Sequence, residues 1–244
     1  MEAYGLSDIG LVRETNQDSF FYGENGNGDF LAIVCDGIGG GKAGDVASSL
    51  AVDSIKKAFY EKPLTLSEIE NKEWISKCIN QANEVIYQDS LTSKHKYGMG
   101  TTLVGVLLSA NDNYLFHMGD SRAYGIYDDI ICLTEDHNLA ADLIRSGELS
   151  EEEALKHPKG RALTNALGIW CDYRLDINKI RDDYHYLLLC SDGLHGYVEE
   201  KIIENVIRDE MIDLKTKVEL LINKAIQSGG YDNITAIVMK GKRG

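Results

Sequence analysis

Short apolar runs bounded by glycine or polar residues alternate along this chain with longer stretches of helical spacing. Residues 2–8, 18–24 and 29–35 alternate or run apolar and predict strands. Val46, Leu50, Ile55 and Phe59 share one face of a helix over Ala43–Tyr60. A second helix is predicted over Ser67–Gln88, after Lys62-Pro63, with Ser67 as its N-cap. Thr101–Leu108, Asn113–His117, Ser121–Tyr127 and Ile130–Leu133 read as a meander of strands parted by polar turns. Residues 138–165 are polar and helical only in patches, Asn138–Ser146 and Ser150–Lys156, which marks an inserted segment. Strands resume at 172–178 and 185–190. Helices follow at Glu199–Arg208 and Asp213–Ser228, and Asn233–Met239 closes the chain as a strand. Strands in blocks with helices grouped apart predict an α+β layered sandwich, not an alternating parallel fold.

Four of the apolar runs carry an aspartate at one end. FLAIVCDG ends in Asp36-Gly37, YLFHMGDSR holds Asp120, YHYLLLCSDG ends in Asp192-Gly193, and GGYDNITAIV opens at Asp232. A single Asp-Gly is an ordinary turn dipeptide. Four such ends meeting at one sheet edge would gather oxygen ligands too negative to coexist without cations, so they read together as a metal site.

Composition narrows the chemistry. The 244 residues, 43% hydrophobic and 26% charged, suit one large domain with ample length for a core. No apolar stretch is long enough to span a membrane, and MEAYGLSDIG has no basic segment followed by an apolar one. The expectation is a soluble, cytoplasmic protein. The net charge of −14 offers no phosphate-tracking basic stripe and excludes nucleic acid as a partner. The five cysteines form no CxxC pair, and Cys35, Cys132 and Cys190 lie in apolar runs as small buried side chains. The six histidines form no HxH or HExxH pattern; His117 reads as a strand residue, and His137 opens the inserted segment. Carboxylates without histidine favour Mg²⁺ or Mn²⁺ over zinc.

DGIGGGKAGD (Asp36–Asp45) follows a strand and opens a helix, but it is no phosphate loop. Asp36 stands where the first glycine is needed, and Ala43 where Ser or Thr is needed. In RETNQD, Arg13 lies five residues before Asp18; beside a metal site an arginine is shaped to hold a phosphate in two places.

RETNQD, VCDGIGG (Val34–Gly40), GTT (Gly100–Thr102), GDSR (Gly119–Arg122), LTNALG (Leu163–Gly168), LLLCSDGL (Leu187–Leu194) and GGYDNIT (Gly229–Thr235) occur in order over nearly the whole chain. The ordered set resembles metal-dependent protein Ser/Thr phosphatases of the 2C type, most of all compact bacterial members made of a catalytic domain alone. The resemblance implies a single domain over 1–244, a four-layer αββα sandwich with two antiparallel sheets flanked by helices, and a two-metal centre at one end. It implies that Asp36 bridges both metals with help from the Gly37 carbonyl. Asp192 and Asp232 would bind one metal and Asp18 the other, largely through water. Asp120, with Asp192, would hold a third, weaker ion. Arg13 matches the phosphate-binding arginine, Asn233 a residue orienting water, and 138–165 the family's flap. Animal members carry a histidine after the Asp-Gly that resembles a general acid. Here it is Ile38, as in the bacterial relatives, so the leaving-group proton must come from elsewhere.

The expected reaction is direct hydrolysis of phosphoserine or phosphothreonine by a metal-bridging hydroxide, with no phosphoenzyme. Expected partners are phosphorylated proteins and, by resemblance, a cognate Ser/Thr kinase; nothing predicts an oligomer, so a monomer is expected. Two rival readings keep the fold: a catalytically silent metal-binding regulator, and a phosphatase dedicated to one regulatory phosphoprotein.

Overall fold

The computed structural model describes residues 1–38, 43–63, 67–110, 112–169 and 173–242, with the Leu155 side chain left aside. Part of the glycine stretch after Ile38 therefore lies outside the described residues, as does Cys171. In chain order the elements are β1 (Ala3–Asp8), β2 (Asp18–Glu24), β3 (Phe30–Ile38), α1 (Gly44–Tyr60), α2 (Glu68–Ser90), β4 (Gly100–Thr101), β5 (Leu103–Leu108) and β6 (Asn113–Met118). They continue with β7 (Arg122–Ile126), β8 (Ile130–Cys132), α3 (Leu139–Arg145), α4 (Glu151–Leu155), β9 (Asp176–Lys179), β10 (Tyr186–Cys190), α5 (Asp192–His195), α6 (Glu200–Arg208), α7 (Leu214–Gln227) and β11 (Ile234–Lys240).

Two sheets form, ordered β1-β11-β10-β7-β8 and β2-β3-β5-β6-β9, with β4 added to β3. The register pairs are all antiparallel. The two-residue period of a strand explains the layering. In β3, Leu31, Ile33 and Cys35 pack on α1 and α2, while Phe30, Ala32 and Val34 point to the other sheet. In β10, Leu188 and Cys190 face α6 and α7, and Leu187 and Leu189 face the sheet interior. Strands buried on both faces read as unbroken apolar runs, and the result is an αββα sandwich with three apolar layers.

Ser67 caps α2 as predicted, in a reciprocal capping box with Glu70, and Asn138 and Ser150 cap the two short helices of the inserted segment. Such caps are worth about 1 kcal/mol each. The strand expected at 172–178 shrinks to Asp176–Lys179. Its approach is held instead by Asn165, whose side chain accepts from Arg174 N at 3.2 Å and donates to Arg174 O. The four-residue α5 after Ser191 and the short β4 were not predicted. Cys35, Cys78 and Cys190 are buried free thiols, and Cys132 is half-buried.

One buried ion pair fixes the β2–β3 hairpin to the end of α1. Lys62 Nζ donates to Asp29 Oδ2 at 2.8 Å with both side chains nearly excluded from water, and the ammonium lies 5.8 Å from the Trp74 ring. Asp29→Ala strands that ammonium without its counter-charge. It should lower the unfolding free energy by about 3–5 kcal/mol in urea denaturation. A loss below about 1 kcal/mol would mean that the pair behaves like a surface contact.

Candidate active site

Antiparallel topology carries the aspartates to one edge. β3 and β10 end there, at Asp36 and just before Asp192. β2 and β11 begin there, at Asp18 and just after Asp232. The register pairs Asp18 directly with Asp36. Asp120 joins from the β6–β7 turn, where Gly119 takes a φ of +103° and where a side chain would also strike Thr102 Cγ2 at 2.7 Å. Arg13, Asp36, Gly37, Asp120, Asp192 and Asp232 line one cleft of about 290 Å³, with Gln17, Ile38, Thr102, Arg161 and Leu163. Asp18 lies behind them, buried.

Each position is held by long-range bonds. Asp36 N donates to Thr102 Oγ1 at 2.9 Å, Thr102 N donates back to Asp36 O at 2.8 Å, and Thr101 Oγ1 donates to the same carbonyl at 3.0 Å. These are the GTT threonines. Ser121 of GDSR contacts Thr102 Oγ1 at 2.7 Å. Ser191 Oγ donates to Asp18 Oδ2 at 2.7 Å and accepts from Thr235 N, while Thr235 Oγ1 donates to the same Asp18 oxygen at 2.6 Å. Gly37 is pressed so close to Gly44 and Gln17 that a Cβ would lie 2.2 Å from Gly44 O. Gly193 is as tight, its Cβ position falling 1.9 Å from Asn233 O. Only glycine permits these backbone approaches.

Asn233 takes a part that differs from orienting a water. Its Oδ1 accepts from Gln17 N at 2.8 Å, and its Nδ2 donates to Ile9 O and Thr15 O, each at 3.0 Å. Both amide hydrogens are spent on backbone, so the side chain staples the 9–17 loop to the turn that carries Asp232. Arg13 Nη2 donates to Asp232 Oδ2 at 2.7 Å, leaving most of the guanidinium at the cleft.

Two residues of the site carried no signal in the sequence. His195, in the unpredicted α5, donates from Nε2 to Asp120 O at 2.9 Å and so ties the helix bearing Asp192 to the Asp120 turn. Burial and the nearby Arg122 charge push its pKa down to about 4, which keeps it neutral. Arg161, from the inserted segment, reaches the cleft and eases the ionisation of Asp192. A lone arginine in a polar insertion looks like any surface charge.

The carboxyls raise one another. Burial, then the charges of Asp18, Asp192, Asp120 and Asp232, drive Asp36 well above the ordinary range. Burial, opposed by the Thr235 and Ser191 hydroxyls and aided by Asp192 and Asp232, raises Asp18. Burial and then Asp192 and Asp136 push Asp120 up to about 7; burial and then Asp232 raise Asp192. Asp18 Oδ1 and Asp192 Oδ1 are buried with no hydrogen-bond partner among the described residues. Crowded oxygens, two of them orphaned, beside a backbone that only glycine allows, fit divalent cations.

A second cavity, about 410 Å³, is larger but contains none of these aspartates. It opens between the inserted segment and Tyr173–Arg174, and its charges pair locally, Arg145 with Asp142 and Arg174 with Asp176. His137 at its wall forms with His117 and Asp176 a cluster of metal-type donors. Hydrogen bonds occupy most of it, and His117 Nδ1 alone of its ring nitrogens has no partner among the described residues. His137 Nδ1 accepts from Asn165 Nδ2 at 2.8 Å and Gly119 N at 3.3 Å, so Nε2 carries the proton given to Asp176; His117 Nε2 donates to Glu135 O at 2.8 Å.

An antiparallel αββα sandwich with an aspartate-lined edge and an arginine in the same cleft has the build of a metal-dependent phosphatase. The family model for protein phosphatase 2C matches residues 12–219. The chain is 36% identical over 242 residues to the serine/threonine phosphatase stp of Listeria innocua, an alignment covering 98% of this chain and 96% of that protein. It is 34% identical to the protein phosphatase PhpP of Streptococcus pneumoniae, over 98% and 97% of the two chains. The crystal structure of the serine/threonine phosphatase Stp1 from Staphylococcus aureus superposes with a TM-score of 0.92 at 31% identity, covering 100% of this chain and 95% of that one. The chain belongs to the protein phosphatase 2C family and is a serine/threonine phosphatase of that metal-dependent type. Among the described residues no helix is long and apolar enough to cross a membrane.

The raised carboxyls make the cation-free protein sensitive to pH. An unfolded aspartate titrates near 3.8, so between about pH 4 and about pH 7 the folded state binds more protons. That stability is full below about pH 4 and is lost as pH rises through about 7. In EDTA-treated protein, the rise in Tm on adding Mn²⁺ should therefore be larger at about pH 7.5 than at about pH 5.5. An increment equal at both pH values would contradict the crowding.

Proposed function

We propose that the aspartate edge holds two Mn²⁺ or Mg²⁺ ions and hydrolyses phosphoserine and phosphothreonine in proteins directly, without a phosphoenzyme. The observation that carries this is the convergence of Asp36, Asp120, Asp192 and Asp232 beside Arg13, with Asp18 buried behind them and two buried carboxylate oxygens without a partner among the described residues. Asp36, the Gly37 carbonyl, Asp192, Asp232 and Asp18 would hold the two ions. Asp120 with Asp192 would hold a third, weaker one. Cations bound there would neutralise phosphoryl charge and supply a water of lowered pKa as nucleophile.

The chain's own residues do the rest. Arg13 uses one Nη on Asp232, and its remaining donors can take two phosphoryl oxygens as a fork. The 9–17 loop that bears it is held by Asn233 and so stays oriented before substrate arrives. Ser191, Thr235, Thr101 and Thr102 keep Asp18 and Asp36 in register against their mutual repulsion. Ile38 lines the cleft and has no proton to give, so the leaving-group proton comes from another donor. The whole chain acts as one catalytic unit, and 138–165 is its flap, bringing Arg161 and Leu163 to the cleft. A cytoplasmic monomer paired with a Ser/Thr kinase fits this reading. The intact set of carboxylates disfavours a silent regulator.

Asp36→Asn and Asp192→Asn should each lower kcat on a phosphothreonine peptide by at least about a thousandfold while leaving the fold intact by circular dichroism. Wild-type rates with added Mn²⁺ would remove that residue from the reaction. Arg13→Ala should raise KM for the peptide about tenfold or more with a smaller change in kcat. An unchanged KM would assign Arg13 to packing against Asp232.

A further inference from the structure

We propose that an apolar rim made by Leu11, Val12 and Tyr231, on the Arg13 side of the cleft, selects phosphoprotein segments carrying a large apolar side chain near the phosphorylated residue. This rests on the reading of Arg13 as the phosphate ligand. Leu11 is 70% exposed, Val12 59% and Tyr231 55%. Exposed apolar side chains occurring singly need no explanation. These three adjoin site residues in sequence: Val12 precedes Arg13, and Tyr231 precedes Asp232.

Leu11 and Tyr231 are joined through Gly230. Leu11 N donates to Gly230 O at 2.8 Å, and Gly230 lies so near Leu11 that a Cβ would meet its Cγ at 2.9 Å. Tyr231 leads on to Tyr197 with ring centroids 5.6 Å apart, and the Arg161 guanidinium lies 5.8 Å from the Tyr197 ring. The arc thus runs from the loop of one cleft arginine to the other. Gly10 has a φ of +77°, with Asp232 O occupying the place of a side chain, and Asn233 pins Ile9 and Thr15 on either side. Pinned loops that nevertheless hold three large apolar groups in water are a pre-organised contact surface. Val12 and Tyr231 are the chain neighbours of Arg13 and Asp232, which line the cleft, and it is this adjacency to the phosphate cleft that names the occupant.

The test compares two phosphothreonine peptides, with leucine or serine at the positions flanking the phosphothreonine. Enzymes are the wild type, Leu11→Ser/Val12→Ser and Tyr231→Ser, assayed with Mn²⁺ beside p-nitrophenyl phosphate, which has no flanks. The wild type should favour the leucine peptide about tenfold in kcat/KM. The variants should lose that preference through KM while keeping p-nitrophenyl phosphate turnover within about twofold and Tm unchanged. Equal rates on both peptides, or a preference surviving in both variants, would overturn the proposal. Sedimentation showing a wild-type dimer that Leu11→Ser/Val12→Ser dissociates would overturn it too, giving the rim to a second copy of this chain. Wild-type protein inactive even on p-nitrophenyl phosphate would remove the underlying phosphatase reading instead.

Discussion

Electrostatic repulsion among aspartates held at one sheet edge is the constraint around which the rest of the molecule is arranged. Left to themselves these side chains would separate, because each shifts its neighbours toward protonation. They cannot separate, because their backbones are fixed by strand register: Asp18 is paired with Asp36, and β10 is paired with β11 up to Cys190 and Ala236, just short of Asp192 and Asp232. Three apolar layers hold that register. Hydrophobic burial thereby sustains a charge arrangement that local energetics oppose, and bound cations would relieve it.

A belt of hydroxyls and amides transmits this rigidity to the cleft. Ser191 and Thr235 join the two sheets through one oxygen of Asp18, leaving the other free. Thr101 and Thr102 grip the backbone of Asp36, and Asn233 grips the loop carrying Arg13. His137 serves the inserted segment in the same way. It accepts from Gly119 N while its own N–H donates to Gly119 O and its carbonyl accepts from Thr164 N, so the start and end of that segment meet beside the Asp120 turn. Every one of these contacts joins residues far apart in the chain.

That distance explains what was legible in the sequence. Strand period, helix period, N-caps and the Asp-Gly ends are local, so the sandwich and the aspartates of the edge could be read from neighbours alone. The ordered motifs then fixed which ends belong together. Asn233 could be placed at the site, but its stapling of Ile9, Thr15 and Gln17 depends on partners more than two hundred positions away. His195 sits in a helix of one turn, too short for a periodic signal, and its partner is the Asp120 carbonyl. Arg161 is anonymous in a polar insertion, and only the fold brings it to the cleft. The 172–178 strand was over-read because Asn165 claims the backbone of Arg174 before the sheet begins.

Crystals grown with Mn²⁺ and read by anomalous scattering would test the central claim most directly. The account predicts peaks among Asp18, Asp36, Asp192 and Asp232, with the unpartnered Asp192 Oδ1 among the ligands, and none at the His117–His137–Asp176 cluster. An aspartate edge without a peak in crystals of active enzyme, or a peak at the histidines alone, would contradict it.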